Sequence, residues 1–234
     1  MDTARCASFF PAISPASDTF HFERTLAGSG YGCVAGVDEA GRGPLAGPVV
    51  AGCVVLPPDC AYHRFQDSKK LTAAVRQELF AELHACGAVI GYAEVSHQEI
   101  DRINILQASL LAMAMAVAQL AGKLAAGPDY LLVDGTFPAP VSLPQKTLIK
   151  GESKSASIAA ASIIAKVVRD RLMEEYHAQF PEYNFQQNKG YATADHRRAI
   201  KRFGPCAIHR TTFKGVREFV FDGARPVPRQ QDLW

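Results

Sequence analysis

Paired cysteines are missing from this 234-residue sequence. Its six cysteines include no C-x-x-C, and their irregular spacing matches neither a zinc site nor a small disulfide framework. We therefore expect reduced cysteines that pack in the core of a cytoplasmic protein. The N-terminal stretch also lacks the basic segment and the long apolar run of a secretory signal. With 48% hydrophobic and 21% charged residues, the composition is that of an ordinary globular protein.

The glycine motifs of nucleotide-binding proteins are absent as well. Gly41-x-Gly43 is followed by neither a correctly spaced third glycine nor a predicted helix, and no Gly-Lys-Ser/Thr occurs, which excludes Rossmann and P-loop sites. The segment 28–34 resembles a kinase glycine loop, but its third glycine comes one position early. The kinase motifs V-A-I-K, H-R-D and D-F-G are all missing, which excludes a kinase.

One uncharged segment, residues 103–122, has the length of a membrane span. It is rich in alanine and is interrupted by asparagine, glutamine and serine, whereas a membrane helix favours larger apolar residues. We therefore predict a buried amphipathic helix and no membrane association.

Charge is distributed unevenly along the chain. Residues 1–145 carry 9 basic and 14 acidic side chains, whereas residues 146–217 carry 14 basic and 6 acidic ones. An acidic part followed by a basic part is typical of a protein that binds cations at one place and a polyanion beside it.

The order of predicted elements indicates an α/β fold. Short strands come first and are followed by alternating strands and helices, which is typical of a mixed sheet with helices on its faces. The predicted strands are 33–38, 48–57, 88–95, 130–134 and about 147–150. The predicted helices begin near residue 72, span about 103–126 and about 153–180, and lie within 190–203, where we expect a dense basic face that includes His196.

Two apolar strands end in carboxylates. Asp38 ends the first predicted strand and Glu39 follows it, and Asp134 ends the strand 130–134. Carboxylates that converge from different strands repel one another unless a hard divalent cation lies between them. We therefore predict a metal site at these strand ends. The alternative is an exposed acidic turn.

Glu152 precedes a long run of small apolar residues that predicts a helix. An acidic residue near a helix start stabilises the helix, so Glu152 is either part of a capping segment or a fourth acid of the site. The small residues should let this helix pack closely against the sheet.

Five motifs, in order over roughly residues 30–216, resemble bacterial ribonuclease HII. They are D-E-A-G-R-G-P-L-A-G-P-V at 38–49, D-S-K-K-L at 67–71, V-D-G at 133–135, K-G-E-S-K-S-x-S-I-A-A-A-S-I-I-A-K-V at 150–167 and G-Y-A-T-x-x-H at 190–196.

The resemblance implies an RNase H-like mixed five-stranded sheet flanked by helices, with a C-terminal helical extension. It also implies hydrolysis of the RNA strand in RNA/DNA hybrids and nicking on the 5′ side of single ribonucleotides in DNA. Asp38, Glu39 and Asp134 match three metal-binding catalytic acids of the family. Glu152 lies where the family usually has Asp, so its carboxylate would reach the site with altered geometry.

The resemblance further implies two Mg²⁺ or Mn²⁺ ions and products with 3′-hydroxyl and 5′-phosphate ends. The segment Gly41-Arg42-Gly43 would sense the ribose 2′-hydroxyl, and Tyr191 would stack on the sugar that follows the ribonucleotide. For Tyr191 the alternative is an ordinary half-buried tyrosine. Phosphate-binding residues would be Lys69, Lys70, Lys154 and Arg197, each of which could equally be a solvated surface residue.

We expect three parts of the chain: a flexible N-terminal arm (1–30), the catalytic domain with its helical extension (31–222) and a Pro/Arg/Gln tail (223–234). The tail ends in Gln230-Gln231-Asp232-Leu233-Trp234, which resembles the short peptides that bind the bacterial sliding clamp. We predict clamp binding through Gln230, Leu233 and Trp234, with a disordered tail or one that folds back on the core as the alternative.

Two alternatives to this function stay open. Ribonuclease HIII shares the acids but carries an extra N-terminal domain and lacks Gly-Arg-Gly in its first motif. A hybrid-binding module without catalysis would fit the departure at Glu152. Nothing in the sequence demands more than a monomer.

Overall fold

A computed structural model of the protein describes residues 18–69 and 71–220. In this part of the chain five strands form one mixed sheet in the order β3-β2-β1-β4-β5. β1 pairs antiparallel with β2 and parallel with β4, while β2–β3 is antiparallel and β4–β5 is parallel. The predicted fold class is therefore confirmed. The strands are β1 (Val34–Ala40), β2 (Val49–Val55), β3 (Val89–Val95), β4 (Tyr130–Asp134) and β5 (Gln145–Leu148).

Two long helices cover the two faces of the sheet. α4 packs with the apolar cluster on one face, and α5 packs with the cluster on the other. The helices in chain order are α1 (His21–Gly28), α2 (Ala73–Ala85), α3 (His97–Ile103), α4 (Ile105–Ala121), α5 (Ala156–Gln179), α6 (Phe185–Asn188) and α7 (Ala194–Phe203).

The helix α5 approaches the sheet closely because both sides contribute small residues. A Cβ atom on Gly36 of β1 would lie 2.1 Å from the Ser157 carbonyl carbon, and one on Gly52 of β2 would lie 2.4 Å from the Ala161 oxygen. Neither contact is sterically possible, so these positions exclude any larger residue. The predicted close packing is confirmed, and it fixes the start of α5 relative to β1.

The expectation of a flexible arm over residues 1–30 is wrong for the described residues 18–30. α1 lies there, and its Leu26 is buried. Glu23 accepts hydrogen bonds from the Ser155 hydroxyl (2.6 Å) and the Ser157 amide (3.0 Å), so α1 is tied to the start of α5. These bonds join residues more than 130 positions apart, which local sequence patterns cannot show. Residues 1–17 lie outside the described residues.

The predicted helix over about 103–126 is α4, which begins after Asn104 and ends at Ala121, and Asn104 adopts a φ of 70°. The Asn104 side chain accepts hydrogen bonds from the Leu106 and Gln107 amides and so begins α4. α4 buries one face against the sheet, whereas Leu111 and Met115 on its other side are exposed, as expected for an amphipathic helix. Within residues 18–69 and 71–220, no helix has the length and apolar character to cross a bilayer.

The C-terminal helical extension packs on the turn that follows β1. The Leu45 amide donates to the Gly190 oxygen (2.8 Å), and the Gly47 amide donates to the Ile208 oxygen (2.9 Å). Leu45 and Ile208 belong to one buried apolar cluster with Met173 of α5. The segment 41–48 is therefore held by the extension as well as by the sheet. The predicted boundary at residue 222 lies outside the described residues.

Candidate metal centre and substrate-binding surface

Asp38 and Asp134 lie side by side because β1 and β4 are parallel neighbours. The last paired residues of these strands are Val37 and Val133, and each aspartate follows one of them. Carboxyl ends of adjacent parallel strands meet at one edge of a sheet, so the two side chains share a site. Asp38 is buried, with 3% of its surface exposed, and Asp134 is partly buried.

Glu152 joins these two aspartates from a 3₁₀ turn, Gly151–Ser153, that precedes α5. One carboxylate oxygen from each of Asp38, Asp134 and Glu152 lies within 4.8 Å of the others. The Gly151 amide donates a 2.6 Å hydrogen bond to Asp134 Oδ1 and fixes this turn at the site. The extra methylene of Glu152 therefore does not remove its carboxylate from the cluster.

Glu39 is arranged differently from the other three acids. Successive residues of a strand point to opposite faces, and Glu39 is outside the group of three convergent carboxylates. Its Oε1 atom accepts a 3.2 Å hydrogen bond from Arg42, while its amide donates to Asp38 Oδ1 at 2.6 Å. Its charge still contributes to raising the pKa of Asp38. A metal-binding role for Glu39 stays a prediction.

The carboxylate cluster holds more negative charge than its protein surroundings balance. Burial, together with the charges of Glu39 and Asp134, raises the pKa of Asp38 well above its usual range. Burial is also the main cause that raises the pKa of Asp134 to about 6. The Lys69 ammonium lies 3.5 Å from Glu152 Oε1, and Glu152 Oε2 is buried with no hydrogen-bond partner among the described residues.

These observations fit a divalent cation. Carboxylate oxygens are the ligands that Mg²⁺ and Mn²⁺ prefer, and a cation would both relieve the repulsion and supply a partner for Glu152 Oε2. Asp38, Asp134 and Glu152 are the described residues that could hold it.

The raised pKa of Asp134 predicts that the site destabilises the metal-free fold. A carboxyl whose folded pKa exceeds its unfolded value binds protons more tightly when folded, so stability falls as pH rises from about 4 to about 6. We expect Asp134→Asn to raise the free energy of unfolding by about 1 to 2 kcal/mol at pH 7 in a chelator. The asparagine oxygen can still accept from Gly151.

Urea unfolding of both proteins at pH 4 and pH 7 checks this prediction. The gain should shrink towards pH 4, where Asp134 is protonated in the folded protein and the unfolded chain begins to bind the same proton. A variant less stable than the wild type at pH 7 would contradict it.

The predicted ribose-sensing segment and Tyr191 form one surface. A Cβ atom on Gly43 would lie 3.8 Å from Tyr191 Cε1, so the two residues are neighbours. The Tyr191 ring is 44% exposed, and Lys166 Nζ and Arg169 Cζ each lie 6.0 Å from its centroid. Gly41 has a φ of 101°, which excludes other residues at this turn.

The predicted phosphate-binding residues occupy different positions around this surface. Lys69 is exposed beside Glu152, Lys154 is half-buried just after the turn that carries Glu152, and Arg197 is exposed on α7. Arg197 Nε donates to the Ala192 oxygen (3.1 Å), so its guanidinium is held near the start of that helix. Lys70 lies outside the described residues, as do Gln230, Leu233 and Trp234.

His196 is not part of the exposed basic face that the sequence predicts. It is completely buried, since it lies on the inner side of α7 and contacts His209. Two arginines that the sequence did not single out, Arg169 and Arg210, are also completely buried beneath the segment 41–48. Their partners are backbone carbonyls, which carry no side-chain signal, and isolated arginines in a sequence are usually exposed.

Comparisons with known proteins identify a family for this chain. A family model described as Ribonuclease HII matches residues 35–216. The chain is similar to a protein named Ribonuclease HII from Desulfotalea psychrophila, with 56% identity over 203 residues that cover 87% of this chain and 90% of that protein.

Two solved structures also match. The ribonuclease H2 of Pyrococcus horikoshii is 28% identical with a TM-score of 0.64, and the match covers 80% of this chain and 96% of that one. The RNase HII in a complex with PCNA from Archaeoglobus fulgidus is 26% identical with a TM-score of 0.63, and the match covers 78% of this chain and 95% of that one.

Proposed function

Because this chain belongs to the ribonuclease HII family, we propose that it hydrolyses the RNA strand of RNA/DNA hybrids and also nicks DNA on the 5′ side of single embedded ribonucleotides. The chain is a hydrolase of phosphodiester bonds. The observation that carries the proposal is the group of three carboxylates within 4.8 Å, next to a surface of glycine backbone and an exposed tyrosine ring.

In this proposal Asp38, Asp134 and Glu152, joined by Glu39, would hold two divalent ions. Mg²⁺ or Mn²⁺ bound there would supply activation of water at neutral pH and stabilisation of the leaving 3′-oxygen. The Gly151 amide keeps Asp134 oriented, and Arg42 keeps the Glu39 carboxylate at the edge of the cluster. Water is the nucleophile in this proposal: its oxygen bonds to phosphorus and the bond to the 3′-oxygen breaks, so the products carry 3′-hydroxyl and 5′-phosphate ends.

The chain selects ribose through the segment Gly41-Arg42-Gly43 and through Tyr191. Backbone groups of this segment can approach a sugar because Gly43 has no side chain, and a 2′-hydroxyl is the group that distinguishes RNA from DNA. The exposed Tyr191 ring, next to Gly43, stacks on the following sugar. Lys69, Lys154 and Arg197 contact backbone phosphates, and we retain Lys70 in this set on its sequence position alone.

A duplex that contains one ribonucleotide tests the proposed function. The full chain with Mn²⁺ or Mg²⁺ should nick only the 5′ side of the ribonucleotide, and end-labelled products should show a 3′-hydroxyl and a 5′-phosphate. An all-DNA duplex of the same sequence and a chelator reaction are the controls. Tight hybrid binding without cleavage in either metal would establish the binding-module alternative instead.

We also propose that the C-terminal tail binds the bacterial sliding clamp. The related RNase HII solved in complex with PCNA, itself a sliding clamp, supports an interaction of this kind. Leu233 and Trp234 are large apolar residues at a polar terminus, as expected for anchors in a groove. Cytoplasmic location and a monomeric state stay predictions.

We expect a chain that ends at Pro228 to lose at least about tenfold in clamp affinity, because anchor residues supply most of a peptide's binding energy. Calorimetric titration of the clamp measures this effect, and Arg225→Ala, in the linker that precedes the tail, is the matched control. Equal affinity of the truncated and full chains would refute clamp binding by the tail.

A further inference from the structure

The buried side chain of Arg210 holds the ribose-sensing segment in place through hydrogen bonds to its backbone. Its guanidinium is completely buried and donates hydrogen bonds of 2.6 to 3.2 Å to five backbone carbonyl oxygens. The acceptors are the carbonyls of Gly41, Arg42, Pro44, Gly47 and Pro48. One side chain therefore fixes the backbone of the whole turn that contains Gly41-Arg42-Gly43.

Arg169 of α5 completes this arrangement. It donates to the Pro48 oxygen (2.9 Å), the Ala46 oxygen (3.1 Å) and the Lys189 oxygen (2.9 Å). Neither Arg169 nor Arg210 forms an ion pair with a carboxylate in the described part of the chain. Burial lowers the pKa of Arg210 to about 9 and that of Arg169 to about 10. Two buried charges without a directly paired carboxylate are costly for stability, although Asp101 and Asp170 act on them from a greater distance, which indicates that they serve another purpose.

His209, the neighbour of Arg210, connects to Tyr191 through a chain of hydrogen bonds. The Cys206 amide donates to His209 Nδ1 (2.9 Å), so this nitrogen carries no proton. The neutral ring then carries its proton on Nε2, which donates to His196 Nε2 (2.9 Å). His196 Nδ1 in turn donates to the backbone carbonyl oxygen of Tyr191 (2.9 Å). Burial lowers the pKa of both histidines, in agreement with neutral rings.

The two recognition elements are also joined directly. The Arg210 amide donates to the Leu45 oxygen, and the Leu45 amide donates to the Gly190 oxygen, both at 2.8 Å. Gly190 precedes Tyr191, so the segment 41–48 and Tyr191 share one backbone framework with residue 210.

A separate contact anchors the segment that carries these two residues. The Asp101 carboxylate accepts four hydrogen bonds of 2.5 to 3.0 Å from the amides and hydroxyls of Thr211 and Thr212. The position of His209-Arg210 is therefore fixed from α3 as well.

We propose that His209 and Arg210 are positioning residues for ribonucleotide recognition: Arg210 sets the Gly41-Arg42-Gly43 backbone, and His209 sets Tyr191 through His196. This inference rests on the proposed function, since it assigns a role within the same substrate-binding surface. It requires that the substitutions impair cleavage of ribonucleotide substrates more than they impair duplex binding. Duplex binding depends on contacts between surface residues and backbone phosphates outside this segment.

The first test is Arg210→Lys, which retains the charge but replaces the forked guanidinium by a single ammonium that cannot reach five carbonyls. We expect kcat for a single-ribonucleotide duplex to fall about 100-fold, the loss typical of a small misplacement of a site, with Kd for the duplex within about threefold of wild type. Leu83→Ala, a buried position of α2, is the control for a general loss of stability.

The second test compares His209→Gln with His209→Phe. The glutamine amide can still donate to His196, whereas phenylalanine cannot. We expect His209→Phe to lower the ratio of single-ribonucleotide cleavage to long-hybrid cleavage about tenfold, since the hydrogen bonds of the His209 side chain lead through His196 to Tyr191, and His209→Gln to restore most of it. A mere loss of folded protein lowers both rates together, so this ratio also decides the question if Arg210→Lys folds poorly.

Wild-type cleavage, measured in the same assay, separates this inference from the proposed function. An inactive wild type overturns the proposed function. With an active wild type, the inference fails if Arg210→Lys retains wild-type kcat, if Leu83→Ala loses as much, or if the two His209 variants give equal ratios.

Discussion

Asp38→Asn will lower kcat for ribonucleotide cleavage by about 1,000-fold or more, with little change in duplex affinity. Substitution of residues that only orient metal ligands already lowers metal affinity or activity 10- to 100-fold. Asp38 is itself a candidate ligand and the most deeply buried of the three convergent acids. Asparagine preserves the shape of the side chain and the oxygen that accepts from the Glu39 amide. The loss therefore reports the missing negative charge and not a collapse of the strand.

Single-turnover cleavage and calorimetric titration with Mn²⁺ measure this effect together. Asp129→Asn is the matched control, because its carboxylate accepts from the Gly32 and Cys33 amides just before β1, at the other end of that strand. It should retain cleavage within about threefold, since surface polar substitutions away from a site have small effects. A wild-type rate in Asp38→Asn, or equal losses in both variants, would show that the cluster is not the catalytic centre.

The acid cluster was predictable because the signals for its members are local. Asp38 and Asp134 each follow an apolar run that can only be a strand, and parallel pairing of such strands places their ends together. The position of Glu152 before a predicted helix left it as either a cap or a fourth acid, and the family motif favoured the acid. No local pattern specified its distance from the aspartates. That distance depends on the 3₁₀ turn at Gly151–Ser153, in which Gly151 donates to Asp134.

The hydrogen bonds that hold the recognition surface in place could not be predicted from the sequence, and the reason is physical. Arg210 bonds five carbonyls, and every residue in a chain has a carbonyl, so no pairing of side-chain types reveals the contact. The same holds for α1, whose Glu23 is bound by Ser155 and Ser157, far along the chain. Sequence patterns report which face of an element is apolar, whereas these contacts depend on how the elements are packed.

The bounds of β5 also differ from those that the sequence predicts. The sequence places a strand near 147–150, whereas the strand is Gln145–Leu148. Lys150 has a left-handed φ of 57°, which ends extended structure just before the turn that carries Glu152. The shift of two residues matters because it leaves that turn free to reach Asp134.

Tyr191→Ala should lower the cleavage of a single embedded ribonucleotide about 10- to 100-fold, the range expected for loss of an aromatic stacking contact with a nucleotide. Long RNA/DNA hybrids should be affected less, because a 2′-hydroxyl is present at every position of the RNA strand. Tyr191→Phe keeps the ring and should cleave both substrates at near wild-type rates. The two rates, measured for each variant at equal enzyme concentration, give the ratio that checks the prediction.

Tyr92 provides the matched control for this test. Its exposed fraction of 43% is close to the 44% of Tyr191, but it lies on the edge strand β3, where no candidate recognition element is adjacent in the sheet. Tyr92→Ala should therefore leave the ratio unchanged. If Tyr191→Ala lowered both rates equally, the ring would be supporting the fold and not selecting the junction, because a smaller folded fraction acts on every substrate alike.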